Sequence, residues 1–136
     1  MITETIQDGR TIHIGNPGED LALVTSPERF VLFLDDKWVA DAGNATKLVD
    51  MLILSGCVEI CISGNGSERV HDALDLTIEK TGQIHIATSW DEDPRSGAEY
   101  FLYAADGRES HLLIALLEQK SPSYEALARE VFGSRS

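Results

Sequence analysis

The feature that most constrains the fold is a regular alternation of strand-like and helix-like segments that begins at Phe30. The first strand-like segment, FVLFL at residues 30–34, is continuously apolar, as is typical of a parallel strand covered on both faces. Three more follow, CVEICISG (57–64), GQIHIATSW (82–90) and HLLIALLEQ (111–119), and a segment with helical spacing of apolar residues comes after each of the four. This βαβαβαβα order predicts a mainly parallel sheet with right-handed crossovers and helices on both faces.

The same pattern predicts where each strand lies. The first strand is wholly apolar and should be central, whereas the third alternates Ile84 and Ile86 with Gln83 and His85, which is typical of a half-covered edge strand. We therefore expect the spatial order 3-2-1-4 in a four-stranded, three-layer, Rossmann-like α/β domain.

A length of 136 residues is that of a single domain. We expect residues 30–133 to form its core and residues 1–29 to form an N-terminal arm or hairpin. The segments TIHIG (11–15) and LALVT (21–25) flank the turn-rich NPGED, so they predict an extra hairpin or edge strand.

Polar residues at the start of each helical segment predict how the helices begin. The predicted N-caps are Asn44 for the first helix, Asn65 or Ser67 for the second, Ser96 for the third, and Ser121, followed by Pro122, for the fourth.

Two cysteines are the only candidates for a disulfide. Cys57 and Cys61 lie four residues apart on the second predicted strand, so alternation places them on one face about 13 Å apart, which is too far for a disulfide. We interpret them as buried small side chains in a reducing compartment. No apolar run approaches the ~20 residues of a membrane span, and the first residues do not resemble a signal peptide. We therefore expect a cytoplasmic protein without membrane contact.

The charge balance narrows the class of partner. Eleven Lys and Arg residues against 23 Asp and Glu residues give a formal net charge of −12. The basic residues are scattered singly, so direct nucleic-acid binding, which needs clustered Lys and Arg, is disfavoured. An acidic surface attracts cations, and the expected partner is a basic protein surface.

Ligands of open α/β sheets bind beyond the carboxyl ends of the strands. In this chain two of those ends place a tryptophan beside acidic residues, DDKW at 35–38 and SWDED at 89–93. We predict a binding edge there, with the residues Asp35, Asp36, Trp38, His71, Trp90, Asp91 and Asp93.

The same carboxylates suggest a metal site. Asp36, Asp91 and Asp93 are candidate ligands of Mg²⁺, with coordination positions left for a phosphate. Asp91 and Asp93 resemble the Asp-x-Asp motif that follows the third strand in Toprim catalytic domains of topoisomerases and primases. That resemblance implies Mg²⁺-dependent chemistry with a glutamate, usually followed by glycine, after the first strand, where this chain has Asp35, Asp36 and Lys37. The predicted strand order would separate Asp36 from Asp91 by about 10 Å, which argues against a shared ion.

A structural interpretation explains the same stretch without a ligand. Ser96 and Glu99 have the spacing of a capping box, and Asp91 to Asp93 lie just before that helix, where its dipole favours negative charge. These residues would then only end a strand and begin a helix.

A glycine-containing loop follows the second strand. Gly64 and Gly66, with Ser67 at the start of a helix, could cradle a phosphate on backbone amides, and a tight strand-to-helix turn is the structural alternative. The third glycine of a dinucleotide fingerprint is absent, because Arg69 takes its place.

The second helix carries His71 and Asp75 one turn apart, a pair that forms surface ion pairs and, in some enzymes, a general base. With Asp72, Leu74 and the turn of residues 90–92, it resembles small bacterial α/β proteins of unassigned function, which carry an HD..LD helix and a tryptophan–acidic turn. The resemblance covers most of the chain and implies no activity.

Three functions are therefore open. The first is a non-catalytic acidic interaction or accessory module, for instance an immunity-type protein, that uses no cofactor. The second is a Mg²⁺-dependent phosphoryl-transfer or nuclease-like enzyme that uses Asp36, Asp91 and Asp93. The third is a small phosphate or nucleotide binder at Gly64, Gly66 and Ser67.

Overall fold

The computed structural model describes residues 1–6, 8–82 and 84–133, which form an α/β fold around one six-stranded mixed sheet. The strands are β1 (Ile2–Thr5), β2 (Thr11–Gly15), β3 (Phe30–Asp35), β4 (Cys57–Ser63), β5 (Ala87–Asp91) and β6 (Leu112–Leu116). Their order across the sheet is β1-β2-β6-β3-β4-β5, and β1 and β2 alone pair in antiparallel fashion.

The predicted order of the four core strands is confirmed and the extra N-terminal strand expected at TIHIG is present, but the sheet has six strands rather than four. The strands β5, β4, β3 and β6 lie side by side in the predicted order 3-2-1-4. The sheet has six strands because TIHIG, as β2, pairs in parallel with β6, and ITET, as β1, pairs with β2. LALVT is not a strand: it forms a 3-10 turn, Leu21–Thr25, that buries Leu21 and Val24 on its inner side.

Four helices cover the two faces of the sheet. They are α1 (Ala42–Leu52), α2 (Ser67–Thr81), α3 (Pro94–Tyr103) and α4 (Pro122–Phe132). Helices α1 and α2 pack on one face and α3 and α4 on the other, so β3 is buried on both sides along its whole length. Phe33 of β3 stacks on Phe101 of α3, with the ring centroids 4.8 Å apart.

The predicted helix starts are confirmed only for α4. Ser121 accepts a hydrogen bond from the Tyr124 amide at 3.1 Å, and Pro122 takes the first helical position. Helix α1 begins earlier than predicted, because Asp41 rather than Asn44 is its cap and accepts from the Asn44 amide at 3.1 Å.

The start of α2 also differs from the prediction. Its N-cap is Gly66, and no side chain forms a capping hydrogen bond there. Neither Asn65 nor Ser67 therefore has the predicted role.

A β-bulge in β4 overturns the prediction for the two cysteines. The pairing of β3 with β4 shifts between Phe30, opposite Cys57, and Val31, opposite Glu59. The extra residue reverses the alternation, so Cys57 packs on the α1/α2 side and Cys61 on the α3/α4 side. Both thiols are buried and free, as expected, but they do not share a face.

The edge strand β5 is confirmed but is shorter than predicted. It begins at Ala87 and runs through Asp91, whereas Ile84 and Ile86 precede it without strand pairing and pack partly buried against the α1/α2 core. Gln83 lies outside the described residues. Among the described helices none is long and apolar enough to cross a membrane.

Candidate functional site

One cleft lies where the strand order reverses. The chain runs from β3 to β4 to β5 in one direction and then returns to place β6 on the other side of β3, so a crevice opens between the carboxyl ends of β3 and β6. A cleft of about 590 Å³ occupies this position. We call it the switch-point cleft. Its lining comes from the carboxyl ends of four strands and the turns that follow them: residues 35–37 at the end of β3, 64 and 65 after β4, 92 and 94 after β5, and 118 and 120–123 after β6.

Asp35 is the most buried charged group of this cleft. It ends β3, is 4% exposed, and pairs across the sheet with Ser63. One carboxylate oxygen, Oδ1, accepts from the Lys37 amide at 2.8 Å. The other, Oδ2, is buried and has no hydrogen-bond partner among the described residues. Asp35 therefore has an unused hydrogen-bond acceptor in the lining of a cavity. Burial of such an oxygen without a donor lowers the free energy of unfolding.

Asp36 has a structural contact of its own. Its Oδ2 accepts from the Gly66 amide at 2.7 Å and so ties the turn after β3 to the turn after β4. Gly64 adopts a φ of +120°, and a Cβ there would lie 2.5 Å from Asp36 Oδ1. Glycine is therefore needed at position 64, because of its positive φ and because the carboxylate approaches the loop backbone closely.

The predicted anion site at Gly64, Gly66 and Ser67 thus has an anion already. Asp36 occupies the Gly66 amide that a phosphate would use, and the Ser67 amide donates to the Gly64 carbonyl at 3.0 Å. The Ser67 hydroxyl is buried without a partner among the described residues, but Ser67 does not line the switch-point cleft. This geometry corresponds to the alternative of a tight strand-to-helix turn.

The stretch SWDED matches the structural interpretation, with a different cap from the one predicted. Asp93, not Ser96, caps α3: its Oδ1 accepts from the Arg95 amide at 3.2 Å, and its Oδ2 accepts from the Ser96 hydroxyl at 2.9 Å. Glu99 pairs with Arg95 at 3.2 Å, so the predicted capping box does not form. The bond from Ser96, followed by that from the Arg95 amide, lowers the pKa of Asp93.

The three candidate Mg²⁺ ligands are not brought together. Strand β4 separates β3 from β5, Asp36 is bound to Gly66, and Asp91 Oδ1 accepts from the Asp93 amide at 2.9 Å. Within the described part of the chain no group of three or more His, Cys, Asp or Glu side chains has an arrangement that could hold a metal ion.

The predicted binding edge divides into two parts. Asp35 and Asp36 are buried, and Trp38, on a 3-10 turn after β3, packs half-buried against the α1/α2 core. Trp90, in contrast, is 41% exposed on β5. The tryptophan and carboxylate pair that remains accessible is therefore the one on β5, with Asp91 beside it.

His71 lies next to β5 in a polar cluster. Its Nδ1 is 3.0 Å from Asp72 Oδ1, and its Nε2 is 2.9 Å from the Thr88 hydroxyl and 3.5 Å from Asp75 Oδ2. Thr88 also donates to Asp75. The predicted one-turn pair of His71 with Asp75 exists, and its contact with Thr88 fastens α2 to the edge strand.

Two cavities flank β5, one on each face of the sheet. The smaller, about 220 Å³, lies beside α3 and is lined by residues that include Cys61, Ser89, Trp90 and Tyr100. The larger, about 460 Å³, lies beside α2 and is lined by residues that include Asp75, Glu79, Ile86 and Thr88. The edge strand is thus bordered by concave surface on both sides.

Glu59 is a buried carboxylate that sequence reasoning missed. It accepts from Ser89 at 3.0 Å, from the Tyr100 hydroxyl at 2.7 Å and from the Asp106 amide at 3.0 Å, and it is 7% exposed. Burial and the bond to Glu59 raise the pKa of Tyr100, so this hydroxyl stays protonated as a donor. Glu59 follows the β4 bulge and faces α3. The sequence of β4 alternates like that of a regular strand, so the bulge could not be predicted from it.

A family model with the description "Domain of unknown function (DUF7684)" matches residues 10–132. No curated protein and no solved structure matches the chain. The match begins at Arg10, directly before β2, and spans the strands β2 to β6 and the helices α1 to α4. Its description names no activity.

Proposed function

We propose that this chain, which belongs to the DUF7684 family, is an acidic interaction module that binds a basic, extended segment of another protein along β5, without catalysis. The observation that carries the proposal is an edge strand with no protection against pairing. Strand β5 is the last strand of the sheet, and its sequence ATSWD contains neither the lysine nor the proline that natural proteins use to block an edge.

The backbone of β5 has groups available for a further strand. The Asp91 carbonyl accepts from the Gly64 amide at 3.0 Å, so the polar backbone groups of Asp91 face β4. Because these groups alternate along a strand, those of Thr88 and Trp90 point away from β4. An extended peptide that pairs there would add a seventh strand.

The two cavities beside β5 suit the side chains of such a peptide. Successive side chains of an added strand point to opposite faces, so one set would enter the cavity beside α3 and the other the cavity beside α2. Tyr100, 39% exposed, offers aromatic surface on the first of these, whereas the Trp90 side chain, 41% exposed, lies on the α1/α2 face with that of its strand partner Ile62. Exposed aromatic residues are typical of interface hot spots.

Charge favours a basic segment. The described residues that line the two cavities include the carboxylates Asp75, Glu79 and Asp91 and no lysine or arginine. Glu92 and Asp93 follow directly, and the whole chain has a formal net charge of −12. A lysine-rich or arginine-rich partner would be attracted from a distance and paired on contact, which fits an accessory or immunity-type role.

The proposal is tested by titrating the protein with a short peptide of alternating lysine and valine and recording the heat of binding by calorimetry. We expect saturable binding that weakens as salt is raised, because the contact is electrostatic. The Trp90→Ala variant should bind at least about tenfold more weakly, since Trp90 is the largest exposed apolar group of the site.

Two matched controls separate a specific site from general acidity. The Trp38→Phe variant should bind like the wild type, because Trp38 packs against the core away from β5. Glu79→Gln should weaken binding, whereas Glu28→Gln, the same change at an exposed position before β3, should not. Equal binding by Trp90→Ala and the wild type, or equal effects of the two glutamate variants, would overturn the proposal.

A further inference from the structure

We propose that the switch-point cleft binds a small organic cation, a primary ammonium or guanidinium compound, with Asp35 as its anionic contact. Its anionic contact Asp35 is separate from the β5 edge, because β4 lies between β3 and β5, although Glu92, which follows β5, also lines the cleft. The proposed cation binding does not depend on the interaction with a protein partner.

The unused oxygen of Asp35 carries the inference. Asp35 is 96% buried, and only Oδ1 has a donor, the Lys37 amide. Oδ2 has none among the described residues, although the same residue borders a cleft of about 590 Å³. A buried carboxylate oxygen without a donor destabilises the fold, and a ligand that brings an N–H donor to it would recover that free energy.

The surroundings of Asp35 favour a polar ligand that reaches inward. Alternation after Phe33 places Asp35 on the α3/α4 face of the sheet, the face to which Cys61 of β4 also contributes. Its strand partner Ser63 accepts from the Ser123 hydroxyl at 3.0 Å, and Ser123 also lines the cleft. The base of the cleft is therefore polar, although its side chains are almost completely excluded from solvent.

The charge of the lining selects a cation over an anion. Four carboxylates, from Asp35, Asp36, Glu92 and Glu118, are set against two lysines, Lys37 and Lys120. Asp35 and Asp36 are buried, whereas both lysines, Glu92 and Glu118 are exposed, so the interior of the cleft is negative and the charges at its rim balance. A volume of this size is typical of sites for small molecules.

The test is calorimetric titration of the protein with agmatine and with putrescine, using the wild type, Asp35→Asn and Asp50→Asn. The Asp50 variant carries the same chemical change on the exposed surface of α1, outside the cleft lining. We expect saturable binding of at least one amine, weakened about tenfold or more in Asp35→Asn and unchanged in Asp50→Asn, because a charged hydrogen bond is lost. Trp90→Ala should also bind the amine normally, which keeps this test distinct from that of the β5 edge.

A second readout applies if Asp35→Asn does not fold. In the wild type, agmatine should shift the NMR signal of the Lys37 amide, which donates to Asp35, and should leave that of Trp90 in place. Absence of saturable amine binding, equal affinity in Asp35→Asn, or a Lys37 signal that does not move would overturn the proposal. Binding of Mg²⁺ in place of the amines, with the same dependence on Asp35, would also overturn it.

Discussion

At the scale of single residues, Asp36 accounts for a loop that has the composition of an anion site. Its carboxylate takes the Gly66 amide, and Gly64 is required because a side chain there would collide with it. A glycine-containing loop before a helix therefore indicates that an anion approaches the backbone, but the anion can be a side chain of the same protein.

Removing that carboxylate should destabilise the fold. We expect Asp36→Ala to lower the free energy of unfolding by about 1–3 kcal/mol, because the Gly66 amide loses its acceptor in a partly buried turn. The measurement is the midpoint of urea unfolding. Asp50→Ala on the surface of α1 is the control and should change it by no more than ~0.5 kcal/mol. An equal effect of the two variants would contradict the contact.

Asp106 provides a prediction on pH. Arg29 donates two hydrogen bonds to it, at 2.8 and 2.7 Å, and this contact holds the pKa of Asp106 below its usual value of 3.8. Because the pKa is lower in the folded than in the unfolded chain, the stabilisation is complete above the usual value and is lost as the pH falls through the folded-state pKa. Asp106→Asn should therefore be less stable than the wild type near neutral pH.

The lowered pKa of Asp106 also determines how the stability difference between the wild type and Asp106→Asn changes with pH. The gap in unfolding free energy between wild type and Asp106→Asn should narrow as the pH falls below ~4. Urea unfolding at a series of pH values measures it. A gap that stays constant down to the lowest pH would show that Asp106 is not held by Arg29 in its charged form.

At the scale of elements, the order of four of the six strands could be predicted from the sequence, whereas β1 and the β4 bulge could not. The order could be predicted from the apolar run of β3 and the half-polar pattern around β5. A strand that is buried on both faces is apolar throughout, whereas a strand with one solvent-facing side alternates apolar and polar residues. The β4 bulge was not predictable, since Val58 and Ile60 look like neighbours on one face in any regular strand. The start of α3 was mispredicted although a local signal was present: Asp93 and Ser96 are both competent caps, and Pro94 at the first helical position favours Asp93.

The bulge puts the two cysteines in separate cores, and both should be unreactive. Burial raises the pKa of Cys57 to about 12 and that of Cys61 still further, so almost no thiolate forms near neutral pH. We expect a thiol-specific disulfide reagent at pH ~8 to react far more slowly with the native protein than with the protein in guanidinium chloride. A cysteine that reacts at the unfolded rate under native conditions would contradict the placement of β4.

At the scale of the whole molecule, the charge and the sheet topology place two candidate binding regions on different parts of one framework. The switch-point cleft lies between β3 and β6, and the β5 edge lies beyond β4. The sequence located the accessible pair Trp90 and Asp91 correctly at a strand end, because acidic and aromatic residues after a strand mark the carboxyl end of the sheet. It also grouped Trp38 with them, although Trp38 packs half-buried on the core, since burial of a loop residue depends on contacts remote in sequence.

Amide hydrogen exchange measured by NMR is the sharpest test of whether β5 accepts an extended basic peptide. Addition of the lysine–valine peptide should slow exchange at Thr88 and Trp90, whose backbone groups point away from β4, and should leave the amides of β1 at the opposite edge unchanged. Unaltered exchange at Thr88 and Trp90 under saturating peptide, or protection at β1 instead, would contradict the account.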